Sequence, residues 1–574
     1  MLRQLIRYMK PYRLKAIFSP ILMIIEVLTD VYIPFLMKDI VNIGIYESNS
    51  EVVITLGLKM ILSALIGITA GVLSARLGAV AGYGFGANLR SDLYRKIQRF
   101  SFGNLDKFSV PSLITRLTND CNNISQAAMM SLRMGIRAPA LFVFALIMAF
   151  NIDPGMAKVF LVAIPVLLLI FAVIIKLAHP RFREMQRRID DLNAVVQEDL
   201  TNIREIKSFV REDHEKGKFK KFNDSLMISA YKAISLVIIT MPAAELVIYS
   251  TIIAILWIGG REIVTGNMLA GNLISFLTYV MQILMSLIML SQVFLHLTRA
   301  KASAERVTEV LNTEVDITSP EDGLTIVADG SIEFKSVDFC YPGSDNYSLT
   351  DINLDIKSGE VIGILGATGS GKSTLLALIP RLYDVTEGQV LVGGKDVRDY
   401  DLRTLRDSVS FVLQQNTLFS GTLRENMKWG DAEATDDMII KALQRAQAWE
   451  FVQKLPDGLD SRVEQGGTNF SGGQRQRLTI ARALLKEPQV IILDDSTSAV
   501  DMDTDARIRR AFATDLPGVT KIIVAQRLAS IEDADRILIL DDGRVSAFAS
   551  AAELMETSTI YREIYESQQR GVVA

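Results

Sequence analysis

Residues 361–374 read VIGILGATGSGKST, and this stretch decides the fold of the C-terminal part of the chain. A short apolar strand leads into Gly366, four intervening residues, Gly371, Lys372 and Ser373, which is the spacing of a phosphate-binding loop between a strand and a helix. Glycines let backbone N–H groups curl around phosphate oxygens, while the lysine supplies a positive charge and the serine hydroxyl ligates Mg²⁺. The stretch therefore predicts a site for ATP or GTP.

Short apolar segments continue around this loop from about residue 320 to 560. They are VIGILG, VSFVLQ, VIILDD, KIIVAQ and RILILD, and helical stretches separate them. This alternation is typical of an α/β domain with a largely parallel core sheet. The polar helical segment before them breaks at Pro320 and Gly323. We therefore predict two domains, at residues 1–319 and 320–574.

The first of these domains is apolar enough to lie in a membrane. The chain is 49% hydrophobic, with a mean hydropathy of +0.26, and windows able to cross about 30 Å of hydrocarbon occur near residues 16–37, 55–80, 127–151, 156–179, 233–259 and 268–296. The long segments after the second and fourth windows are rich in Lys and Arg, which places them and both termini in the cytoplasm. We expect a membrane all-α domain of six long helices in the cell membrane, a prokaryotic inner membrane being preferred to an organelle.

Charge is segregated along the chain. Residues 1–300 hold 32 Lys and Arg against 21 Asp and Glu, whereas residues 301–574 hold 29 against 44. With the apolar windows, this pattern excludes a disordered chain, a purely soluble enzyme and a soluble protein acting on nucleic acid. Cys121 and Cys340 are too few for a disulfide framework or a zinc site.

A second acidic motif follows the phosphate loop. The apolar strand VIIL ends in Asp494 and Asp495, where one carboxylate can hold Mg²⁺ through water and the next can polarise an attacking water. Two aspartates after a strand are also common at a solvated strand end, so this motif alone leaves both interpretations open.

The stretch NFSGGQRQRLTIARAL lies between these motifs, and its part from Asn469 to Gln476 resembles the signature of ATP-binding-cassette (ABC) proteins. Tyr341 in FCYPG resembles the aromatic residue of that family that stacks on adenine. Gln414 in FVLQQNTLFSGT resembles the glutamine that senses Mg²⁺ and couples to the membrane helices. The resemblance implies that the bound nucleotide is ATP.

Further landmarks of the family occur in the right order. Glu464 in SRVEQGG resembles an acidic residue that meets the partner's cytoplasmic helices, and Ser498 and Asp501 in SAVD belong to a stretch that resembles the loop crossing the dimer interface. Six spans before one cassette resemble a half-transporter of the ABC exporter type. That resemblance implies an exporter-type membrane domain followed by an α/β ABC nucleotide-binding domain.

The same resemblance implies which residues meet the nucleotide. The ATP site would comprise Tyr341, Gly366, Ala367, Thr368, Gly369, Ser370, Gly371, Lys372, Ser373, Thr374, Gln414 and Asp494. Within that set, the implied Mg²⁺ ligands are Ser373, Gln414 and Asp494. The signature residues Ser471, Gly472, Gly473 and Gln474 would contact ATP bound to a partner subunit.

Two positions depart from the family pattern. Asp495 stands where the family has a glutamate, one methylene longer, and a misplacement of about 1 Å can cost roughly 100-fold in rate. Gln526 stands where the family has a switch histidine, and an amide cannot carry a proton. Lys372 and Gln414 complete the set of expected catalytic positions.

With their intact signature, these departures resemble the degenerate-site subunit of a heterodimeric exporter. We expect this chain's own site to hold ATP and hydrolyse it slowly. Its signature would complete a competent site on a second half-transporter that bears the missing glutamate and histidine.

Ionisable side chains within the apolar windows predict a transport pathway. Glu26 and Asp30 lie one helical turn apart in the first window, and Glu245 lies in the fifth. Such residues usually face a cavity or partner, and these acids would attract cationic amphiphiles. Arg133 and Arg137 in the third window are expected to snorkel towards the membrane surface.

A methionine stripe occupies the sixth window, at Met281, Met285 and Met289. Such a stripe fits either packing or a cavity for loosely specified apolar ligands.

Similarity to multidrug exporters implies ATP-driven export of amphipathic drugs by alternating access. A lipid flippase and a peptide exporter are the alternatives within transport. A nucleotide-binding membrane sensor or regulatory subunit without transport is the alternative from another class.

Overall fold

A computed structural model of the chain describes residues 2–495, 501–525 and 527–573. The chain forms two compact units, which we call the membrane unit (residues 1–95 and 114–312) and the α/β unit (residues 96–113 and 313–574). The last long helix ends at Asn312, and the residues before the predicted boundary at 320 already pack on the α/β unit. The hydroxyl of Ser319, for example, donates a 3.0 Å hydrogen bond to Asp401.

The membrane unit confirms the prediction of six apolar helices. Within the described residues, the helical segments able to cross a membrane are Gln4–Ile45, Ser50–Gln98, Val110–Ile152, Pro154–Thr201, Glu212–Val264 and Ala270–Asn312, called spans 1 to 6 below. At 1.5 Å per residue, each is much longer than the roughly 30 Å of a hydrocarbon core. The spans therefore continue well beyond the bilayer.

Several spans contain more than one helix. The long helices run over Arg13–Asp39, Ser50–Gln98, Cys121–Ile152, Phe160–Thr201, Glu212–Ile238, Thr240–Val264 and Ala270–Asn312. Short helical segments are Leu2–Ile6, Arg7–Tyr12, Ile40–Ile45, Phe102–Lys107, Val110–Thr115, Arg116–Asp120, Pro154–Ala157 and Ile203–Ser208.

Apolar packing holds the membrane unit together. Val27, Leu141, Phe160, Ile255 and Phe276 come from five different spans and belong to one buried cluster. Span 2 instead approaches its neighbours through small residues, which allow backbones to come close inside a membrane. A Cβ added to a glycine of this span, at position 82 or 86, would lie 2.7 Å from side-chain atoms of span 3.

The α/β unit contains the predicted parallel sheet. Its strands are β1 (Ile332–Cys340), β2 (Tyr347–Ile356), β3 (Val361–Leu365), β4 (Glu387–Val392), β5 (Lys395–Asp396), β6 (Val409–Val412), β7 (Gly421–Thr422), β8 (Arg462–Val463), β9 (Val490–Asp494), β10 (Thr520–Val524), β11 (Arg536–Asp541) and β12 (Arg544–Ala549). The main sheet has the order β12-β11-β3-β10-β9-β6 and is parallel except for β12. A second, antiparallel sheet has the order β2-β1-β4-β5. The five apolar segments of the sequence are the five parallel strands.

Helices flank these sheets. They are Lys372–Leu378, Val397–Asp399, Leu402–Ser408, Leu423–Met427, Asp436–Arg445, Trp449–Val452, Gly458–Asp460, Gln465–Gly467, Gly472–Leu484, Met502–Asp515, Leu528–Ser530, Ala551–Thr557 and Thr559–Val573.

Both faces of the main sheet are buried, which explains why its strands are continuous apolar runs. Along β9, Ile491 and Leu493 pack in one cluster with Ile480 of the helix Gly472–Leu484. Ile492, between them, packs on the opposite face with Leu376 of the helix after the phosphate loop.

Candidate nucleotide-binding site

The central strands of the main sheet end at one edge. Ile364 of β3 is in register with Val524 of β10, which is in register with Asp494 of β9. Open parallel sheets bind ligands outside the carboxyl ends of their strands. The phosphate loop and Asp494 are therefore neighbours at this edge.

Gln414 and Asp495 reach the same edge. β6 pairs in parallel with β9 up to Val412 and Leu493, so the exposed Gln414 follows the end of β6 as Asp495 follows the end of β9. Asp495 is half-buried with φ +49°, in the left-handed region that aspartate adopts more readily than most residues. Gln526 follows β10 in sequence and lies outside the described residues, as does Ser498.

The glycines of the phosphate loop are required by its backbone. Gly369 and Gly371 have φ angles of +88° and +93°, which side chains rarely tolerate. A Cβ added to Gly371 would lie 2.8 Å from Leu349 and 2.9 Å from the carbonyl oxygen of Ser348. The curled loop therefore cannot form with larger residues at these positions.

Lys372 lies inside this loop. Its Nζ donates hydrogen bonds to the carbonyl oxygens of Gly366 at 2.9 Å and Ala367 at 2.7 Å, and to Ser370 Oγ at 3.4 Å. Burial lowers the pKa of Lys372, and the carboxylates of Asp494 and Asp495 oppose that effect. The loop thus presents a positive charge where a phosphate group would bind.

Ser373 and Asp494 supply two neighbouring side-chain oxygen groups to the site, a hydroxyl and a carboxylate. Burial raises the pKa of Asp494, which is only 5% exposed, while a hydrogen bond with the Ser373 side chain opposes the increase. A hydroxyl next to a buried carboxylate fits Mg²⁺, which takes few protein oxygens together with phosphate oxygens and water. Mg²⁺ at these two residues would neutralise charge on phosphate oxygens.

A cavity of 370 Å³ opens beside the loop. Its walls contain the predicted residues Tyr341, Gly369, Gly371, Lys372, Ser373 and Thr374, and also Tyr347, Ser348, Asp542 and Gly543. The last two residues form the turn between β11 and β12, whose Gly543 N–H donates a 3.3 Å hydrogen bond to the carbonyl oxygen of Ser370. The sequence analysis missed this turn, although the Asp-Gly pair in LILDDGRV is a hairpin signal.

Tyr341 lies at the wall of the cavity. Its hydroxyl is 2.9 Å from Thr374 Oγ1, and its ring packs edge-on against Phe339 and Tyr383 with centroid distances of 4.9 and 5.3 Å. These contacts hold a flat aromatic surface next to the phosphate loop. Its predicted stacking on adenine remains a prediction.

The signature residues lie at the start of the helix Gly472–Leu484. Ser471 Oγ accepts a 3.3 Å hydrogen bond from Gln474 N–H, and Ser471 N–H donates a 2.9 Å bond to Gln474 Oε1. Ser471 is exposed, and Gly472 and Gly473 are half-buried. None of the four signature residues lines the 370 Å³ cavity.

Two other predicted interface residues are in place at the surface. Asp501 caps the helix Met502–Asp515 by accepting a 2.9 Å hydrogen bond from Thr504 N–H, and this bond lowers the pKa of Asp501. Glu464 is exposed and accepts a 3.1 Å hydrogen bond from the Thr468 hydroxyl.

The predicted pathway residues of the membrane unit do not form one cluster. Arg137 forms ion pairs with Glu26 and with Asp30, the latter at 2.9 Å, so Arg137 joins span 3 to span 1 instead of snorkelling. Arg133 packs against Gly78 of span 2. Glu245 is exposed on span 5.

The methionine stripe is largely on the surface of the chain. Met281 and Met285 are exposed, and Met289 is half-buried.

Comparison with known proteins assigns the family. A profile described as the ABC transporter transmembrane region matches residues 16–287, and one described as ABC transporter matches residues 349–498. The ABC transporter ATP-binding protein YfiB of Bacillus subtilis is 38% identical over 99% of this chain and 98% of its own length. An ATP-dependent lipid A-core flippase of Syntrophus aciditrophicus is 30% identical over 99% of this chain and 94% of its own length.

A bacterial Atm1-family ABC exporter with ATP bound has the same fold, with a TM-score of 0.81, 23% identity and coverage of 97% of this chain and 98% of that chain. The chain belongs to the ABC transporter family and is a half-transporter of the exporter type, with one membrane domain and one ATP-binding domain. Membership implies ATP binding, generally with Mg²⁺, and ATP hydrolysis by this class of domain.

Proposed function

We propose that this chain is the degenerate-site subunit of a heterodimeric exporter of amphipathic drugs and other xenobiotics. The proposal rests on one observation: Asp495 and Gln526 occupy the hydrolytic positions of a chain whose signature is intact. In this proposal the chain's own site binds ATP at Lys372 and turns it over slowly.

The chemistry of the two positions supports slow turnover. The Asp495 carboxylate is one methylene shorter than a glutamate and starts from the left-handed backbone at φ +49°. A general base must come within hydrogen-bond reach of the water that it activates. Gln526 offers an amide that can donate a hydrogen bond but cannot accept and return a proton.

The exposed signature supports a partner subunit. Ser471 and Gln474 hold the start of a 13-residue helix in a capping box at the protein surface. Helix N-termini favour anions, and this one lies away from the chain's own phosphate-loop cavity. In this proposal a second subunit brings a phosphate group to it.

Exposed apolar surface in the loop between spans 4 and 5 also supports a partner. Phe209 is 76% and Val210 is 80% exposed directly after the helix Ile203–Ser208. The predicted topology places this loop in the cytoplasm, where water makes such exposure unfavourable and contiguous apolar exposure marks interaction sites.

The α/β unit has a groove of matching chemistry. Phe419 and Trp429 stack at 3.9 Å, and the Arg482 guanidinium lies 6.0 Å from the Phe419 ring. These residues line a cavity of 310 Å³. We assign this groove to the cytoplasmic loop of the partner subunit.

The membrane unit favours amphipathic cargo that carries a positive charge. Arg137 neutralises one of the two carboxylates that it pairs with in span 1, which leaves one negative charge. Met281 and Met285 add exposed, adaptable apolar surface on span 6.

Lipid export and peptide export remain the alternatives within transport, and a regulatory subunit without transport is the alternative from another class. The name lipid A-core flippase belongs to relatives at 30% and 31% identity.

Purification of the tagged chain from its native membrane tests the proposal. We expect a second half-transporter with glutamate and histidine at the two positions to copurify. Vesicles containing both chains should accumulate a cationic dye with ATP. Recovery of a homodimer would contradict the proposed heterodimer. Vesicles that hydrolyse ATP but accumulate no dye would favour another cargo or the regulatory role.

A further inference from the structure

Residues 4–15 form a cationic surface in the membrane unit. The chain contains five Lys or Arg and no Asp or Glu before Glu26. The folded structure shows where part of this charge is presented.

One face of this segment is fixed to the membrane unit. Leu5 and Tyr8 are buried, and the Tyr8 hydroxyl donates a 2.9 Å hydrogen bond to Asp92 of span 2. The Asn88 side chain donates a 3.3 Å bond to the carbonyl oxygen of Tyr8. The segment is therefore held in place against span 2.

A further bond fixes its beginning. Gln4 Nε2 donates a 2.7 Å hydrogen bond to Asn312 Oδ1 at the end of span 6. An even number of spans separates these two residues, so both lie on the same side of the membrane. The positive-inside rule identifies that side as the cytoplasm.

The opposite face combines exposed cations with exposed apolar side chains. Ile6 and Leu14 are each 64% exposed, and the exposed cations are Arg7, Lys10, Arg13 and Lys15. In the part of the chain that the structure describes, no carboxylate forms an ion pair with any of these four cations. Arg7 and Lys15 lie instead beside tyrosine rings of the same segment.

We propose that residues 4–15 form a binding surface for anionic phospholipids of the cytoplasmic leaflet. Apolar side chains among Lys and Arg are the composition by which interfacial segments insert between headgroups. Each cation near an anionic surface strengthens the attraction by roughly fivefold in affinity. Because one face is fixed by hydrogen bonds, the cations are presented together without ordering a flexible tail.

This surface is independent of the proposed heterodimer and of ATP, so it is tested by lipid binding alone. Native mass spectrometry of the detergent-purified full chain, titrated with dioleoylphosphatidylglycerol, measures the affinity of the bound lipid. The triple variant Arg7→Gln, Lys10→Gln, Arg13→Gln should bind it at least tenfold more weakly. Dioleoylphosphatidylcholine binding should not change, and inorganic phosphate should not compete.

The matched control removes three exposed cations of the α/β unit that also form no ion pair with any described residue, through Lys395→Gln, Lys428→Gln and Lys441→Gln. It should bind phosphatidylglycerol like the wild type. If the triple variant at the N-terminus is not recovered folded, Lys10→Gln alone should weaken binding about fivefold. Unchanged phosphatidylglycerol affinity in the N-terminal variants, or equal losses in the control, would overturn the proposal.

Discussion

The hydroxyl of Tyr383 donates a 2.6 Å hydrogen bond to the carboxylate of Asp106. Asp106 belongs to a short helix between spans 2 and 3, and Phe102 of that helix packs edge-on against the Tyr383 ring at 5.9 Å. The same ring contacts Tyr341, which forms a hydrogen bond with Thr374 of the phosphate loop. One aromatic side chain therefore connects this helix to the wall of the nucleotide cavity.

Tyr383→Phe keeps the ring and removes the hydrogen bond. We expect ATP affinity within twofold of the wild type and a loss of about 1 kcal/mol in the free energy of unfolding, measured by nucleotide titration and thermal unfolding. Burial raises the pKa of Tyr383, and the Asp106 bond adds to the increase. The tyrosine therefore stays a donor at neutral pH, so the effect should not vary between pH 6 and 8.

The exposed Tyr231 provides the control, since Tyr231→Phe should leave stability unchanged. Equal stability of Tyr383→Phe and the wild type would show that the bond to Asp106 contributes nothing.

Asp494→Asn should separate stability from function. Because burial raises the pKa of this carboxyl in the folded protein, the folded state binds the proton more tightly than the unfolded state. The charged carboxylate therefore lowers stability at pH 7, and this penalty is relieved as pH falls through the raised pKa. The asparagine variant should be more stable at pH 7 without nucleotide and lose Mg²⁺-dependent ATP binding.

Asp541, exposed at the end of β11, is the matched strand-end aspartate. Asp541→Asn should change neither quantity. Lower stability of Asp494→Asn at neutral pH would contradict the assigned role of burial.

Arg137→Ala should strongly destabilise the membrane unit. It leaves the carboxylates of Glu26 and Asp30 without their cation. Breaking a fully buried ion pair from one side costs about 3–5 kcal/mol, which is the upper bound for these half-buried side chains. Adding Glu26→Gln and Asp30→Asn should recover much of this loss, because no unpaired charge remains. Thermal unfolding in nanodiscs checks both variants, and a triple variant as unstable as the single one would show that packing dominates.

Ser471→Ala and Ser550→Ala form a matched pair. Each removes a serine that caps a helix through the same reciprocal bonds, to Gln474 and Glu553 respectively. Both should lose about 1 kcal/mol of stability. Only Ser471→Ala should lower ATP hydrolysis by the assembled heterodimer, by at least tenfold if the hydroxyl also meets the partner's nucleotide. Equal hydrolysis by both variants would restrict Ser471 to capping.

Much of this architecture could be predicted because buried segments have recognisable apolar patterns in the sequence. The parallel strands are buried on both faces and are therefore apolar runs, as β9 illustrates between Val490 and Asp494. The phosphate loop was readable because its residues are contiguous. The order of the strands could not be predicted, since no local sequence pattern shows which strands pair with β3.

Long-range contacts were the part that could not be predicted. Gly543 reaches the phosphate loop through a hydrogen bond with Ser370, and nothing in the spacing of these residues indicates that contact. Arg137 was expected to snorkel because its charge was visible and the adjacency of spans 1 and 3 was not. Because the sequence does not show which spans are neighbours, it also did not show that Arg137 pairs with Glu26.

The two positions that depart from the family pattern can be changed to the family's residues. A chain with Asp495→Glu and Gln526→His regains a longer carboxylate and a group that carries a proton. We expect its own ATP hydrolysis to rise at least tenfold, because positioned acid–base groups typically contribute roughly 10²–10⁴-fold. Phosphate release from the purified variant measures this change, and no increase would place the defect elsewhere.

The central claim is that this chain alone binds ATP but hydrolyses it slowly. Steady-state ATPase of the purified chain in lipid nanodiscs, with ATP binding verified separately, tests it most directly. The account predicts tight binding with negligible turnover until the partner subunit is added. Brisk turnover by the chain alone, abolished by Asp495→Asn, would show a working homodimer and contradict the account.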